Sequence, residues 1–440
     1  MNKPFRVGGN VAARRLSIAL LILAALGPGC AAQTLRTLYA FDGYVSSGDG
    51  IDPNSSLVIG FGGTLFGTTY EGGASNNGTV FALNPPPSTG GFWRETQIHV
   101  FAGGADGVEP TALVLGWDGA LYGVTAGGGS GCGTGCGTAF SLRPPSSISP
   151  EGWWEGSWIK QTYAFGSDIV LPGTLRSAGG LLYGTSILGG KSPCDAYLGC
   201  GALFTLKPPR PWDPSWTAGV LYSFPDGAGG YRPVMAALGR DGKFYATTQG
   251  GNQNCPFGCG VVMELTPPAP LTETVLHTFI NRAYDGDGVA GLVVRDDGTL
   301  FGVTSGGGIY GYGTAFSLTP PSLPGGSWTD AWTEKILYNF NGPSGAAFPN
   351  PNLVVGKGGV VYGTSYGILG GGPSASGAVF ALAPSGDGSW TATVLHSFSG
   401  GEDGGNPIAG VVIGDDGVLY GTTTAGGGPG KFGTVFALRP

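Results

Sequence analysis

The chain has 440 residues, of which 41% are hydrophobic and only 11% charged, with a formal net charge of −7; glycine takes 88 positions and proline 33. No basic block follows Arg15, so the clustered Lys/Arg footprint of a nucleic-acid-binding surface is missing and nucleic acid is excluded as a partner. Glycine and proline enrichment of this size can mark disorder, but the apolar runs recur in phase, so the chain reads as folded, its surface covered by Gly, Ser, Thr, Asn and Pro.

Residues 1–32 read as a leader. Lys3, Arg6, Arg14 and Arg15 precede an apolar run from Leu16 to Leu26, too short to span a bilayer, and Gly29-Cys30-Ala31-Ala32 offers small residues for cleavage. Cleavage after Ala32 would release a soluble protein; cleavage before Cys30 would leave a lipid anchor there, although Gly27 and Pro28 fit that signal poorly. No second apolar span follows, so the mature protein is expected to be secreted or held at a bacterial cell surface without a transmembrane segment.

The next predicted element, Leu35–Phe41, is a lone strand. After it a phrase recurs seven times: Leu-Tyr-Gly-Thr-Thr, a glycine-rich stretch, then Gly-Thr-Val-Phe-x-Leu. Its second half begins at Gly78, Gly137, Gly201, Gly260, Gly313, Gly377 and Gly433, at spacings of 53 to 64 residues. A period of that size marks a stacked or radial repeat fold. In the fifth copy Leu292–Arg295 is a strand and Asp297-Gly298 a two-residue hairpin signal. Leu300–Thr304 and Gly313–Leu318 are the next strands, Pro320-Pro321 ends the ladder, and Glu334–Phe340 is a fourth strand. No helical period appears outside the leader. Four-stranded sheets that are apolar on both faces must be sandwiched between neighbours, which leads to an all-β, seven-bladed β-propeller over residues 33–440, one domain of seven repeats of roughly 58 residues. The lone strand Leu35–Phe41 completes the last blade, whose own three strands end at Leu438, and so removes the exposed edges.

The phrase resembles the GloVer tandem repeat of exported bacterial "choice-of-anchor" proteins, over nearly all of the mature sequence. The resemblance implies an extracellular bacterial protein. A C-terminal sorting anchor, common among such proteins, is not expected here because the sequence ends within a repeat.

Six cysteines remain beyond Cys30: Cys132/Cys136, Cys194/Cys200 and Cys255/Cys259, each pair in the glycine-rich loop of a different repeat. Even numbers at short range in an exported protein read as local disulfides. Zinc is the competing reading of Cys-x3-Cys, but no histidine or further cysteine lies close in sequence to complete a site.

The loops joining fourth to first and second to third strands share one face, where ligand sites of propellers usually lie. Asp-Gly turns there place Asp49, Asp106, Asp226, Asp285 and Asp403 ahead of the innermost strands. They are candidates to ring the channel mouth, against the plainer reading that Asp before Gly bonds its own backbone. His99, His277 and His396 take a slot that holds Tyr39, Tyr163, Tyr222 and Tyr338 in other copies, so they read as structural, leaving no base for Ser-His-Asp chemistry. Gly363-Thr364-Ser365-Tyr366-Gly367 matches a nucleophile elbow by letter only, because Ser365 aligns with Thr69 and Thr423 and no strand-turn-helix context exists. Trp93, Trp158, Trp216, Trp332 and Trp390 repeat and read as blade-edge covers, whereas Trp153, Trp154 and Trp212 fall outside the pattern. Charges that break the repeat consensus are the ligand-binding candidates: Glu71, Glu109, Asp168, Asp195, Arg232, Arg282 and Glu402, with Lys191 and Lys431. No cofactor motif is present, and neither cofactor nor metal is expected. The expected function is a monomeric, non-catalytic binding or surface-structural module for carbohydrate or a cell-surface protein. The alternative is a glycosidase or lyase whose paired acids converge over the channel.

Overall fold

In the computed structural model, residues 34–440 are described except 44–47, 89, 133–134, 150–153, 179, 192–198, 210–214, 226–229, 252–258, 281, 322–330, 343–345, 368–375 and 387. The repeat folds as expected into seven blades of antiparallel strands. Blade 5 is typical: Asp287–Val294, Leu300–Gly306, Thr314–Thr319 and Thr333–Asn339 pair in sequence order, innermost to outermost. Blade 7 is built from Val412–Ile413, Leu419–Thr423 and Thr434–Arg439, and Thr34–Ala40 adds its fourth strand against Thr434–Arg439. The ring is thus closed by one strand from the front of the sequence and three from the back.

Each letter of the repeated phrase has a place in this packing. The fourth-strand phenylalanine lies edge-on to the third-strand phenylalanine of the next blade, as in Phe41–Phe81 (5.3 Å between centroids), Phe279–Phe316 (5.0 Å) and Phe398–Phe436 (5.2 Å). Such pairs add about 0.5–1.5 kcal/mol each beyond the area they bury. The glycine of Leu-Tyr-Gly sits under that third-strand ring: a Cβ on Gly302 would stand 2.2 Å from Phe316 Cζ. Blade 4 carries Ala246 opposite Met263 instead, so the larger second-strand residue comes with the narrower third-strand one. Buried threonine pairs join second to third strands, for example Thr69–Thr79 at 2.9 Å and Thr423–Thr434 at 2.8 Å. Ser365 occupies this slot and is fully buried, which removes it as a nucleophile.

The repeating tryptophans lie between blades. Trp93 packs on Tyr420, Trp158 on Phe66, Trp216 on Tyr122, Trp332 on Tyr245 and Trp390 on Phe301, in each case the second strand of the preceding blade. Trp154, outside the pattern, packs on Trp158; Trp153 and Trp212 lie outside the described residues. Cys132 and Cys136 form a disulfide. Cys200 and Cys259 are also disulfide-bonded, and Cys194 and Cys255 lie outside the described residues. No helix among the described residues is long and apolar enough to cross a membrane.

Candidate functional site: the channel and its mouth

At or shortly before the innermost strand of each blade lies a residue with a left-handed backbone. Asp52, Glu109, Leu171, Arg232, Phe348 and Asn406 have φ between 53° and 58°, and blade 5 has Gly288 at 65° in the same slot. The first six each precede a proline, whereas Gly288 precedes Val289. The residue before proline ordinarily avoids any helical region, and a non-glycine residue held left-handed costs about 1–2 kcal/mol. The turn lets the amide N–H donate to the preceding blade: Glu109 to Asn77 O at 3.0 Å, Arg232 to Cys200 O at 2.9 Å, Phe348 to Tyr312 O at 2.9 Å and Asn406 to Ser376 O at 2.7 Å. Glycine would make the same hydrogen bond without the strain. The backbone therefore has a packing reason, and the choice of an acid, an aliphatic, a cation, an aromatic and an amide around one ring does not.

Two candidates named from the sequence, Glu109 and Arg232, belong to this ring. Tyr70 Oη donates to Glu109 Oε2 at 2.6 Å, and Tyr70 itself follows the second strand of blade 1. Burial, then the hydrogen bond to Glu109, pushes the Tyr70 hydroxyl up to about 12. Glu71 pairs with Ile51 in a short extra ladder. Burial, reinforced by Glu71, raises the carboxyl of Asp52 above the ordinary aspartate range. Asp52, Glu71 and Glu109 thus make an acidic sector on the blade 1–2 side. Leu171 and Ile187 on blade 3 are exposed apolar groups, Arg232 on blade 4 is an exposed cation, and Phe348 with the partly exposed Tyr366 makes an aromatic sector on blade 6.

The remaining candidates are dispersed. Asp168 is exposed, and Arg282 pairs with Asp287 at 3.1 Å. Glu402 lies with Asp403 and Lys431 around a depression of about 800 Å³ on blade 7. Asp195 and Asp226 lie outside the described residues. The Asp-Gly aspartates turn toward the outer strands. Tyr39 Oη donates to Asp49 Oδ2 at 3.1 Å, Asp106 Oδ2 stands 3.1 Å from His99 Nε2, and Asp403 Oδ2 stands 3.0 Å from His396 Nε2. Asp285 Oδ2 is 3.9 Å from His277 Nε2. Neither these four nor the residues of the left-handed ring are among the described residues lining the channel cavity.

That cavity, about 620 Å³, is lined by every blade. In six blades one register position holds Val58, Val114, Ala237, Val293, Val354 or Val412. Blade 3 has Arg176 there, opposite Tyr183 as Val114 is opposite Tyr122. The Arg176 guanidinium donates to Asn352 Oδ1 of blade 6 at 3.2 Å, reaching across the channel, and has no carboxylate partner among the described residues. The first-strand hairpin of blade 3 is one residue shorter, which hides the alignment of Arg176 with the valines in the sequence. The residues of the left-handed ring read in the sequence as ordinary X-Pro strand starts.

Comparison with known proteins places the repeat. A model of the Gloeobacter/Verrucomicrobia repeat family matches residues 29–196, 170–327 and 256–440. No curated protein matches the chain. Solved structures that resemble it include hydrazine synthase of Kuenenia stuttgartiensis (13% identity, 88% of this chain and 95% of that one, TM-score 0.50). The periplasmic gluconolactonase of Pseudomonas aeruginosa is similar at 15% identity over 78% of this chain and 86% of that one, with a TM-score of 0.45. A putative glucose dehydrogenase of Thermus thermophilus reaches 15% over 92% and 100%, with a TM-score of 0.42. At such identities the likeness is one of fold.

Proposed function

The chain belongs to the Gloeobacter/Verrucomicrobia repeat family, and from that premise we propose that it is an exported, non-catalytic binding module that takes a carbohydrate or protein ligand at the channel mouth on the glycine-loop face. The observation that carries the reading is the left-handed ring: seven equivalent backbones, six of them strained, with side chains of different chemistry in almost every blade. Strain retained where glycine would serve points to side chains kept for contact. An acidic, an apolar, a cationic and an aromatic sector around one opening suit recognition of an extended polar surface more than a single chemical step. A general acid and its partner carboxylate would have to converge at a separation of roughly 5–9.5 Å around a scissile bond. Glu402, on blade 7, stands on a depression separate from the blade 1–2 acids. Export rests on the leader-like residues 1–32.

The test is a screen of the mature chain against a glycan array and against cell-surface proteins, followed by titration of the best ligand with Glu109→Gly and Arg232→Gly. These changes keep the backbone turn and remove the side chain, so affinity should fall by about tenfold or more with folding intact. Unchanged affinity in both variants would overturn the placement of the site. Turnover of a bound sugar that is lost in Glu109→Gln or Glu402→Gln would replace the reading with the glycosidase or lyase one.

A further inference from the structure

At the seams of blades 1 and 2 and of blades 4 and 5 the fourth-strand histidine, the Asp-Gly aspartate and one residue from the next blade's fourth strand meet. That third residue lies opposite the same third-strand leucine in every blade, and it is Lys160 in blade 2 and Glu334 in blade 5. At the seam of blades 1 and 2 the Lys160 ammonium stands 2.9 Å from His99 Nε2 and bonds the Asp106 carboxylate. The protein itself supplies a cation there.

At the seam of blades 4 and 5 the same three positions are His277, Asp285 and Glu334, and the lysine is replaced by a second acid. His277 Nε2 is 3.6 Å from Glu334 Oε1 and 3.9 Å from Asp285 Oδ2, and all three donor atoms lie within 4.8 Å of one another. His277 Nε2 and Glu334 Oε1 are both shut off from solvent without a hydrogen-bond partner. Glu334 has no lysine or arginine partner among the described residues. Buried orphan polar atoms are costly, and a second acid stands where the sister seam holds a lysine. We propose that a divalent transition-metal ion of the zinc or manganese class sits between blades 4 and 5, held by His277 Nε2, Asp285 and Glu334.

The donor set and spacing suit that ion. Bonds of about 2.0–2.2 Å to imidazole nitrogen and carboxylate oxygen place tetrahedral ligands roughly 3.3–3.6 Å apart, so small side-chain rotations close the site. Burial holds the Glu334 carboxyl up at about 7 and pushes the His277 imidazole down. The first effect opposes, and the second favours, the protonation state that a metal needs. Each ligand set draws on two repeats, so no local spacing in the sequence reveals it. The site is separate from the channel mouth and stands or falls independently of the ligand proposed there.

The experiment uses tag-free mature protein stripped with a chelator, dialysed, and titrated with zinc alone and manganese alone, with calorimetry and thermal melting as readouts. One ion per chain and a higher melting temperature are expected. Glu334→Gln should bind more than about tenfold more weakly. Glu334→Lys copies the blade 1–2 seam, so it should fold at least as stably as the stripped protein and show no response to metal. Absence of stoichiometric binding by the folded wild type, or equal affinity in Glu334→Gln, would overturn the site.

Discussion

Between the blades and at the mouth of the channel the backbone repeats seven times, yet the side chains follow opposite rules. In the seams the letters recur because each is pressed against a neighbour: Phe316 on Phe279, Trp332 on Tyr245, Gly302 under Phe316. At the mouth the left-handed turn recurs while the residue changes from Asp52 to Glu109, Leu171, Arg232, Gly288, Phe348 and Asn406. Where packing decides the residue, repetition follows. Where only the main chain is needed for packing, the side chain is released for other work.

The largest effect is expected in the seams. Phe316→Ala removes a fully buried ring and should cost about 3–5 kcal/mol, read as a lower midpoint of chemical unfolding. Gly302→Ala drives a methyl into that ring and should cost about 1–3 kcal/mol. Blade 4 shows the remedy, since Ala246 faces Met263. Gly302→Ala combined with Phe316→Met should therefore be more stable than the sum of the single changes. Simple additivity would show that the glycine is not coupled to the ring.

A smaller effect is expected where blade 7 meets blade 1, the seam that closes the ring. Glu95 is pushed up to about 8 by burial, then by Asp49 and Asp42. An acid whose folded value lies above its ordinary one keeps its proton in the folded state longer than in the unfolded chain. Stability should therefore decline as pH rises from about 4.5 to 8 and level off beyond. Glu95→Gln should remove that decline and raise stability at pH 8 by on the order of 1–2 kcal/mol, given partial exposure and solvent screening. Melting curves of the two proteins across roughly pH 4–9 that stayed parallel would show that Glu95 is already ionised in the fold.

The same contrast explains what could be read from the letters. Strands, hairpin turns, blade number and ring closure were legible because burial repeats with the phrase; the tryptophans at 93, 158, 216, 332 and 390 read as covers of the blade edges, and they pack between blades instead. Glu109 and Arg232 were legible as breaks in consensus. Their left-handed backbone was not, because an X-Pro pair ordinarily reads as extended. Arg176 broke consensus too, but the shortened hairpin of blade 3 put it out of phase with Val114 and Val293. The Asp-Gly aspartates were candidates for the channel mouth against the plainer reading that they bond their own turn. Their carboxylates accept from the backbone amides of Asp42, Ala102, Ile280 and Ser399 and also stand beside Tyr39 and the three histidines. The seam clusters need residues from two blades, and no single repeat contains them.

The smallest expected effect tests the mouth by stability alone. Arg232 is exposed and held at φ 55°, and Gly288 occupies the equivalent place at φ 65°. If the turn is needed only for the amide that hooks onto the preceding blade, Arg232→Gly should relieve strain and lose little contact, changing stability by less than about 1 kcal/mol and in the favourable direction. Gly288→Ala imposes the strain that the other six blades carry and should cost about 1 kcal/mol. Opposite signs in paired unfolding curves would mean that the ring is strained by its own side chains, and that blade 5 is the one blade free of that cost. Equal signs would mean that the side chains help to hold the turn, and the mouth would then be another packed seam rather than a surface kept for a ligand.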